Sequence, residues 1–73
     1  HEKFFTNLKE RYPDLTPGDL RLCALLRLNM PTKDMARMQN LSVRGIEAAR
    51  YRLRKKLNLP EGQSLVDFMI QFH

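Results

Sequence analysis

Basic side chains are concentrated in residues 43–57 of this 73-residue chain. The segment holds six of the 13 lysines and arginines but only one of the eight acidic residues, Glu47, so its net charge of +5 equals that of the whole chain. Its basic residues are Arg44, Arg50, Arg52, Arg54, Lys55 and Lys56. A basic segment in an otherwise neutral chain is typical of a polyanion-binding surface. Nucleic acid is the first candidate partner, and an anionic membrane surface and an acidic protein are the alternatives.

The residues that usually carry catalysis or bind metals are few and badly placed. The only histidines, His1 and His73, stand at the two ends, so neither a Ser/His/Asp arrangement nor a metal site with spaced ligands can be assembled. Cys23 is the only cysteine and lies in an apolar stretch, which predicts a buried, inert thiol and a reducing, cytoplasmic location. We therefore expect a protein that is not an enzyme and holds no metal or cofactor. No apolar stretch approaches the roughly 18 residues of a membrane span, so a membrane-spanning helix is excluded. With nucleic acid as the first candidate partner, we expect this domain to make no membrane contact.

Proline, glycine and capping residues divide the chain into segments of helical periodicity. The predicted helices span about residues 2–11, 17–29, 33–39, 43–57 and 64–72. The first has an apolar stripe, Phe4, Phe5, Leu8 and Tyr12, that would pack on the rest of the protein. No strand is indicated. The sequence predicts a compact all-α bundle with an extra N-terminal helix.

Side chains that cap helices mark most of the boundaries. Thr16, followed by Pro17 and by Asp19 three residues after it, predicts a capping box at the start of the second helix. Thr32, Ser42 and Ser64 are the predicted N-caps of the next three helices. Asn40 is suited to the left-handed conformation that ends a helix.

The fourth predicted helix has two distinct faces when each residue is turned 100° from the one before. Its inward face contains Val43, Ile46, Ala49, Leu53 and Leu57. Its outward face contains Arg44, Ala48, Tyr51 and Lys55, flanked by Glu47 and Arg52. The predicted core also includes Leu20, Cys23, Ala24 and Phe68, with Met35, Ala36 and Met38 turned inward.

Arg50 falls within the inward stripe, where it would either pair with Asp14, Asp19 or Asp34 or reach a phosphate. A short helix joined by about three residues to a basic helix is the helix-turn-helix pattern.

Four motifs resemble, in order and spacing, the LuxR/NarL-type (GerE-type) DNA-binding domain over about residues 15–72. They are Leu15-Thr16-Pro17-Gly18-Asp19-Leu20, Thr32-Lys33-Asp34-Met35-Ala36, Leu41-Ser42-Val43-Arg44-Gly45-Ile46 and Lys55-Lys56-Leu57. The sequence looks most like regulators of Bacteroidetes that have sensory portions upstream. Because the sequence begins without an initiator methionine and within a helical pattern, we expect residues 1–14 to form a helix leading from an upstream region. The resemblance implies that residues 15–73 are the DNA-binding output domain of a bacterial transcriptional regulator, sensor-linked or two-component.

The resemblance also implies a set of site residues. The family positions that contact bases correspond to Glu47, Ala48 and Tyr51. Glu47 could accept a hydrogen bond from a cytosine amine, Ala48 could contact a thymine methyl, and Tyr51 could donate to a base or a phosphate. The expected phosphate contacts are Arg44, Arg52, Lys55, Lys33 and Arg50. Val66 and Ile70 on the last helix would form the contact of a homodimer on double-stranded DNA, and RNA polymerase is a further candidate partner.

The sequence departs from the family pattern at several positions. Glu47 and Ala49 replace a lysine and a histidine, and Gln39 replaces a usually buried leucine. Gly45 replaces a threonine, and its missing side chain would let a DNA backbone approach closely or is a neutral change. Two alternative functions stay open: a promoter-binding domain like region 4 of a sigma factor, and a protein-interaction module that has lost DNA binding, which Glu47 and Ala49 favour.

Overall fold

Five helices account for most of the protein. The structure is a computed structural model that describes residues 2–73, so His1 lies outside it. The helices are α1 (Glu2–Arg11), α2 (Pro17–Arg27), α3 (Thr32–Met38), α4 (Val43–Lys56) and α5 (Leu65–Gln71). No strand occurs within residues 2–73. All five predicted helices are confirmed, and none of them is long and apolar enough to cross a membrane.

Three of the four predicted N-terminal caps are present. The Thr16 hydroxyl accepts from the Asp19 amide at 3.1 Å, and the Thr16 amide donates to the Asp19 carboxylate at 2.9 Å, which completes the capping box. Ser42 and Ser64 each accept from the amide three residues later. The prediction for Thr32 is wrong. Pro31, whose ring fixes φ near −60°, already occupies the cap position, so α3 begins at Thr32 and no side chain caps it.

Helices α2, α3 and α4 end in the same way. Asn29, Asn40 and Asn58 follow them with φ of 55° or 56°, in the left-handed region that asparagine tolerates better than most residues. The amide after each asparagine donates to the carbonyl five residues back, which is the Schellman pattern of helix termination. The left-handed conformation predicted for Asn40 is confirmed, and it fixes the direction in which the chain leaves α3.

One hydrophobic core receives side chains from every helix. α2 packs against α5 and α4, and α3 packs against α4. The fully buried side chains are Leu8, Leu15, Cys23, Leu26, Met35, Ile46, Leu53 and Met69. Burial raises the pKa of the Cys23 thiol to about 12, so the group stays protonated at neutral pH. Of the predicted core, Cys23, Ile46, Leu53 and Leu57 are buried, whereas Leu20, Ala24 and Phe68 are only partly buried.

Two residues predicted to face inward do not. Val43 is 41% exposed and Met38 is 66% exposed. Helical periodicity gives the direction of a side chain, but Met38 is the last residue of α3 and Val43 the first of α4, where the neighbouring helices do not cover them. On α5, Ile70 is exposed as expected, whereas Val66 is partly buried against the core.

Basic side chains tie helix ends and loops together. Arg27 of α2 donates to the carbonyls of Met69 and Phe72 at 3.1 Å each, and its guanidinium carbon lies 4.4 Å from the centroid of the Phe4 ring. Lys9 donates to two carbonyls of the loop between α1 and α2. These contacts help to hold α1, α2 and α5 together.

Candidate nucleic-acid interface

The orientation of α4 is set by the packing of α3 against it. Residues 39–42 connect the two helices, and the Leu41 amide donates to the Ala36 carbonyl at 2.8 Å to close the turn. Met35 and Ala36 of α3 are buried together with Ile46 and Leu53 of α4. One side of α4 is therefore fixed in the core, and the opposite side must face outward.

The outward side of α4 is exposed as the sequence predicts. All six predicted residues are exposed, and we call them the outer face of α4: Arg44, Glu47, Ala48, Tyr51, Arg52 and Lys55. The outer face presents three cations, one carboxylate, one aromatic ring and one methyl group. This mixture can contact both the phosphates and the base edges of a nucleic acid.

Two of the basic residues in the segment 43–57 serve the fold instead. Arg54 donates to the carbonyl of Gln63 at 2.6 Å and to that of Pro60 at 2.9 Å, so it holds the linker between α4 and α5. Lys56 forms an ion pair with Asp19 at the start of α2. Arg44, Arg52 and Lys55 make no hydrogen bond or ion pair with the side chains described in residues 3–73. These three exposed cations are therefore available to an external anion.

The ion pair between Lys56 and Asp19 anchors α4 to the capping box of α2. Burial opposes ionisation of Asp19, but the hydrogen bonds from Lys56 and Thr16 outweigh it and hold the pKa of this carboxyl below its ordinary value of 3.8. Asp19 is therefore charged at neutral pH, and its charge is balanced locally by Lys56.

Arg50 lies in the inward stripe of α4 and is half-buried, but the expected ion pair is absent. No described carboxylate lies within ion-pair distance of Arg50, and Asp19, one of its three expected partners, is bound by Lys56. The structural role predicted for Arg50 is wrong, and the phosphate contact stays a prediction.

Tyr51 and Lys55 form a unit on the outer face. The Lys55 ammonium lies 4.6 Å from the centroid of the Tyr51 ring, within the range of a cation–π interaction, and Tyr51 is 61% exposed. Glu47 lies one helical turn before Tyr51 and has no partner among the described residues. The three side chains together place an acceptor, an aromatic hydroxyl and a cation along one line of the helix.

Gly45 has a packing role in the turn between α3 and α4. A Cβ atom at this position would lie 3.3 Å from the Ser42 hydroxyl oxygen and 3.4 Å from the Leu41 Cβ, which is a tight contact. The direction of its missing side chain is filled by the turn, so the structure does not support a close approach of a DNA backbone there.

Three further predicted site residues lie outside α4. Lys33 is exposed in the first turn of α3, and Val66 and Ile70 are on α5. No sequence motif singles out Arg21 of α2, which lines a cleft together with Arg52 and Gln39. No local sequence signal marks Arg21, because the residues that line the cleft come from separate segments.

Comparisons of the chain with models of protein families, with curated proteins and with solved structures found no match. Function is therefore inferred from the outer face of α4 and its surroundings.

Proposed function

We propose that the chain is a sequence-specific DNA-binding domain in which α3 and α4 form a helix-turn-helix and α4 lies in the major groove. Its resemblance to the LuxR/NarL type supports a role as the output domain of a bacterial transcriptional regulator. The observation that carries the proposal is the outer face of α4, where three uncommitted cations surround Glu47, Ala48 and Tyr51 while the opposite face is core.

The dimensions of the outer face suit a DNA groove. The major groove is about 12 Å wide and accepts an α-helix. From residue 44 to residue 55, α4 advances about 16 Å at roughly 1.5 Å per residue. That length lets the outer face contact several successive base pairs, which are roughly 3.4 Å apart.

Each residue of the outer face has a distinct role in this proposal. Arg44, Arg52 and Lys55 neutralise phosphates, and Lys33 and Arg50 contribute further contacts to the backbone. Glu47 accepts from the N4 amine of a cytosine, Ala48 contacts a thymine methyl, and Tyr51 donates to a base or a phosphate.

The proposal includes pairing of two copies on DNA through α5. Ile70 is 48% exposed, and Val66 lies beside it, partly buried. A standard interface buries about 800 Å² per partner, far more than these two side chains supply, so the isolated domain is expected to pair only when DNA holds two copies together. RNA polymerase is a further candidate partner of the bound dimer.

The salt dependence of binding to duplex DNA tests the proposal. If each copy neutralises three to four phosphates, log K should fall against log salt with a slope of about −3 for one copy and about −5 to −7 for a dimer. The triple variant Arg44→Gln, Arg52→Gln, Lys55→Gln should lose most of that slope, whereas Arg11→Gln on α1 should retain it. If the wild-type protein binds no duplex at low salt, the alternative of a protein-interaction module is favoured.

A further inference from the structure

A cleft opens between the start of α2 and one edge of α4. Arg21 of α2, Gln39 and Leu41 of the turn between α3 and α4, and Ala49 and Arg52 of α4 line it. Arg52 belongs both to the cleft and to the outer face of α4. The cleft therefore runs along the edge of the surface that the proposed function places in the major groove.

Three uncommitted hydrogen-bond donors line this cleft, each from a different part of the fold. Arg21 is exposed, and its guanidinium lies back over Gly18, where a Cβ would be 3.8 Å from Nη2. Gln39 is half-buried, and its side-chain amide makes no hydrogen bond with other residues in the described range 2–73. Arg52 is exposed and equally unpaired there. The three side chains can thus converge on one external group.

The acidic group in the cleft does not cancel these donors. Asp19 also lines the cleft, but its carboxylate accepts from the Thr16 amide and from Lys56. The Thr16 hydroxyl is likewise used by the capping box. The charge that remains uncompensated at the cleft is that of the two guanidinium groups.

Guanidinium and amide donors match the oxygens of a phosphate group, and arginine is particularly suited to it. The apolar side chains of Leu41 and Ala49 provide a surface that a deoxyribose can contact. A helix in the major groove is flanked on each edge by a DNA backbone, and the cleft lies on one of those edges. We infer that the cleft holds a backbone phosphate of one DNA strand, bound by Arg21 and Gln39 together with Arg52. This inference rests on the proposed function and adds two residues from outside α4 to its contacts.

The first test compares Arg21→Gln with Arg11→Gln, which removes an exposed arginine at the end of α1, away from the cleft. Arg21→Gln should weaken binding and make the slope of log K against log salt shallower, by at most about 0.9 for each bound copy, because Arg52 still contacts the same phosphate. Gln39→Ala should weaken binding without changing the slope, because it removes a neutral donor. Thermal unfolding of each variant checks that the fold is retained.

The second test identifies the phosphate. Duplexes in which single phosphates are replaced by uncharged methylphosphonates should show one position where the affinity of Arg21→Gln falls clearly less than the affinity of the wild type. If no such position exists, or if Arg21→Gln binds as Arg11→Gln does while the wild type binds DNA, the inference is overturned and the proposed function stands. If the wild type binds no duplex, both are overturned.

A small phosphate compound shares the chemistry of the DNA backbone, and a third measurement separates them. Inorganic phosphate is titrated while the amide NMR signals of residues 18–21 and 39 are followed, first alone and then with duplex present. Displacement of phosphate by the duplex supports the inference. Tight phosphate binding that the duplex does not displace would show that the cleft serves a small anionic ligand instead.

Discussion

Arg54→Gln should destabilise the fold while leaving the proposed DNA-binding surface intact. Arg54 is half-buried and donates to the carbonyls of Pro60 and Gln63, which hold the linker between α4 and α5. Glutamine keeps a polar side chain but is too short to reach both carbonyls. Arg52→Gln is the matched control, because Arg52 is on the same helix, is exposed and has no partner within residues 2–73.

The size of the effect follows from the two hydrogen bonds. A hydrogen bond from a charged group contributes about 1.5–3 kcal/mol when well buried. Because Arg54 is partly accessible to water, about 1 kcal/mol for each bond, or about 2 kcal/mol in total, is the appropriate value. For a domain of this size 1 kcal/mol shifts the unfolding midpoint by roughly 4–8 °C, so Arg54→Gln should lower it by roughly 8–16 °C.

Urea unfolding measures the free energy, and fluorescence anisotropy at several salt concentrations measures DNA binding. Arg52→Gln should change the free energy of unfolding by less than about 0.5 kcal/mol, as is usual for exposed sites, and should make the salt slope shallower by up to about 0.9 per bound copy. Arg54→Gln should lower the free energy of unfolding by about 2 kcal/mol and leave the salt slope unchanged. Equal unfolding free energies for the two variants, or an equal loss of slope, would refute the division of the α4 cations into structural and external groups.

Three further changes test other parts of the structure. Glu47→Ala removes a negative charge near the phosphates, so affinity for unrelated duplexes should stay the same or rise. In competition binding, discrimination at one base pair should fall by about 1–3 kcal/mol. Tighter binding to every duplex with unchanged sequence preferences would mean that Glu47 only repels the phosphates and does not read a base. Ile70→Glu, alone or with Val66→Glu, should reduce cooperative binding to paired half-sites but not binding to a single site, and unchanged cooperativity would remove α5 from the dimer contact. Asp19→Asn should lose about 0.5–2 kcal/mol of unfolding free energy at neutral pH. Because folding lowers the pKa of Asp19, the stability that its carboxylate contributes is present above pH 3.8, the ordinary pKa, and is lost as the pH falls through the folded pKa. If the difference in unfolding free energy between Asp19→Asn and the wild type stayed constant well below pH 3.8, this explanation would be contradicted.

Local sequence signals predicted the helices and most of their ends. The capping box at Thr16 and Asp19 depends on residues three positions apart, and the asparagine that ends α3 acts through its own backbone conformation. Such signals are contained within a few residues, so they can be recognised without knowing the tertiary structure. Thr32 was misassigned because Pro31 before it competes for the same cap position.

The tertiary partners of charged residues could not be predicted in the same way. The outer face of α4 follows from its 100° periodicity, but the roles of Arg54 and Lys56 depend on carbonyls 6 and 9 residues away and on a carboxylate 37 residues away. The same periodicity predicts that Val43 faces inward. That prediction is wrong, because the period of a helix does not show where the neighbouring helix ends. The cleft at Arg21 combines three separated segments, so only the folded structure shows it.

The most direct test of the central claim is the map of amide NMR shifts when the domain is titrated with a short duplex at low salt. We predict that the largest changes fall on residues 44–55, with smaller changes at residues 18–21 and 33–42, and that the aromatic cluster of Tyr12, Phe68 and Phe72 between α1 and α5 is unaffected. Shifts centred on that cluster, or no shifts with any duplex, would contradict the claim that α4 is the DNA-binding helix.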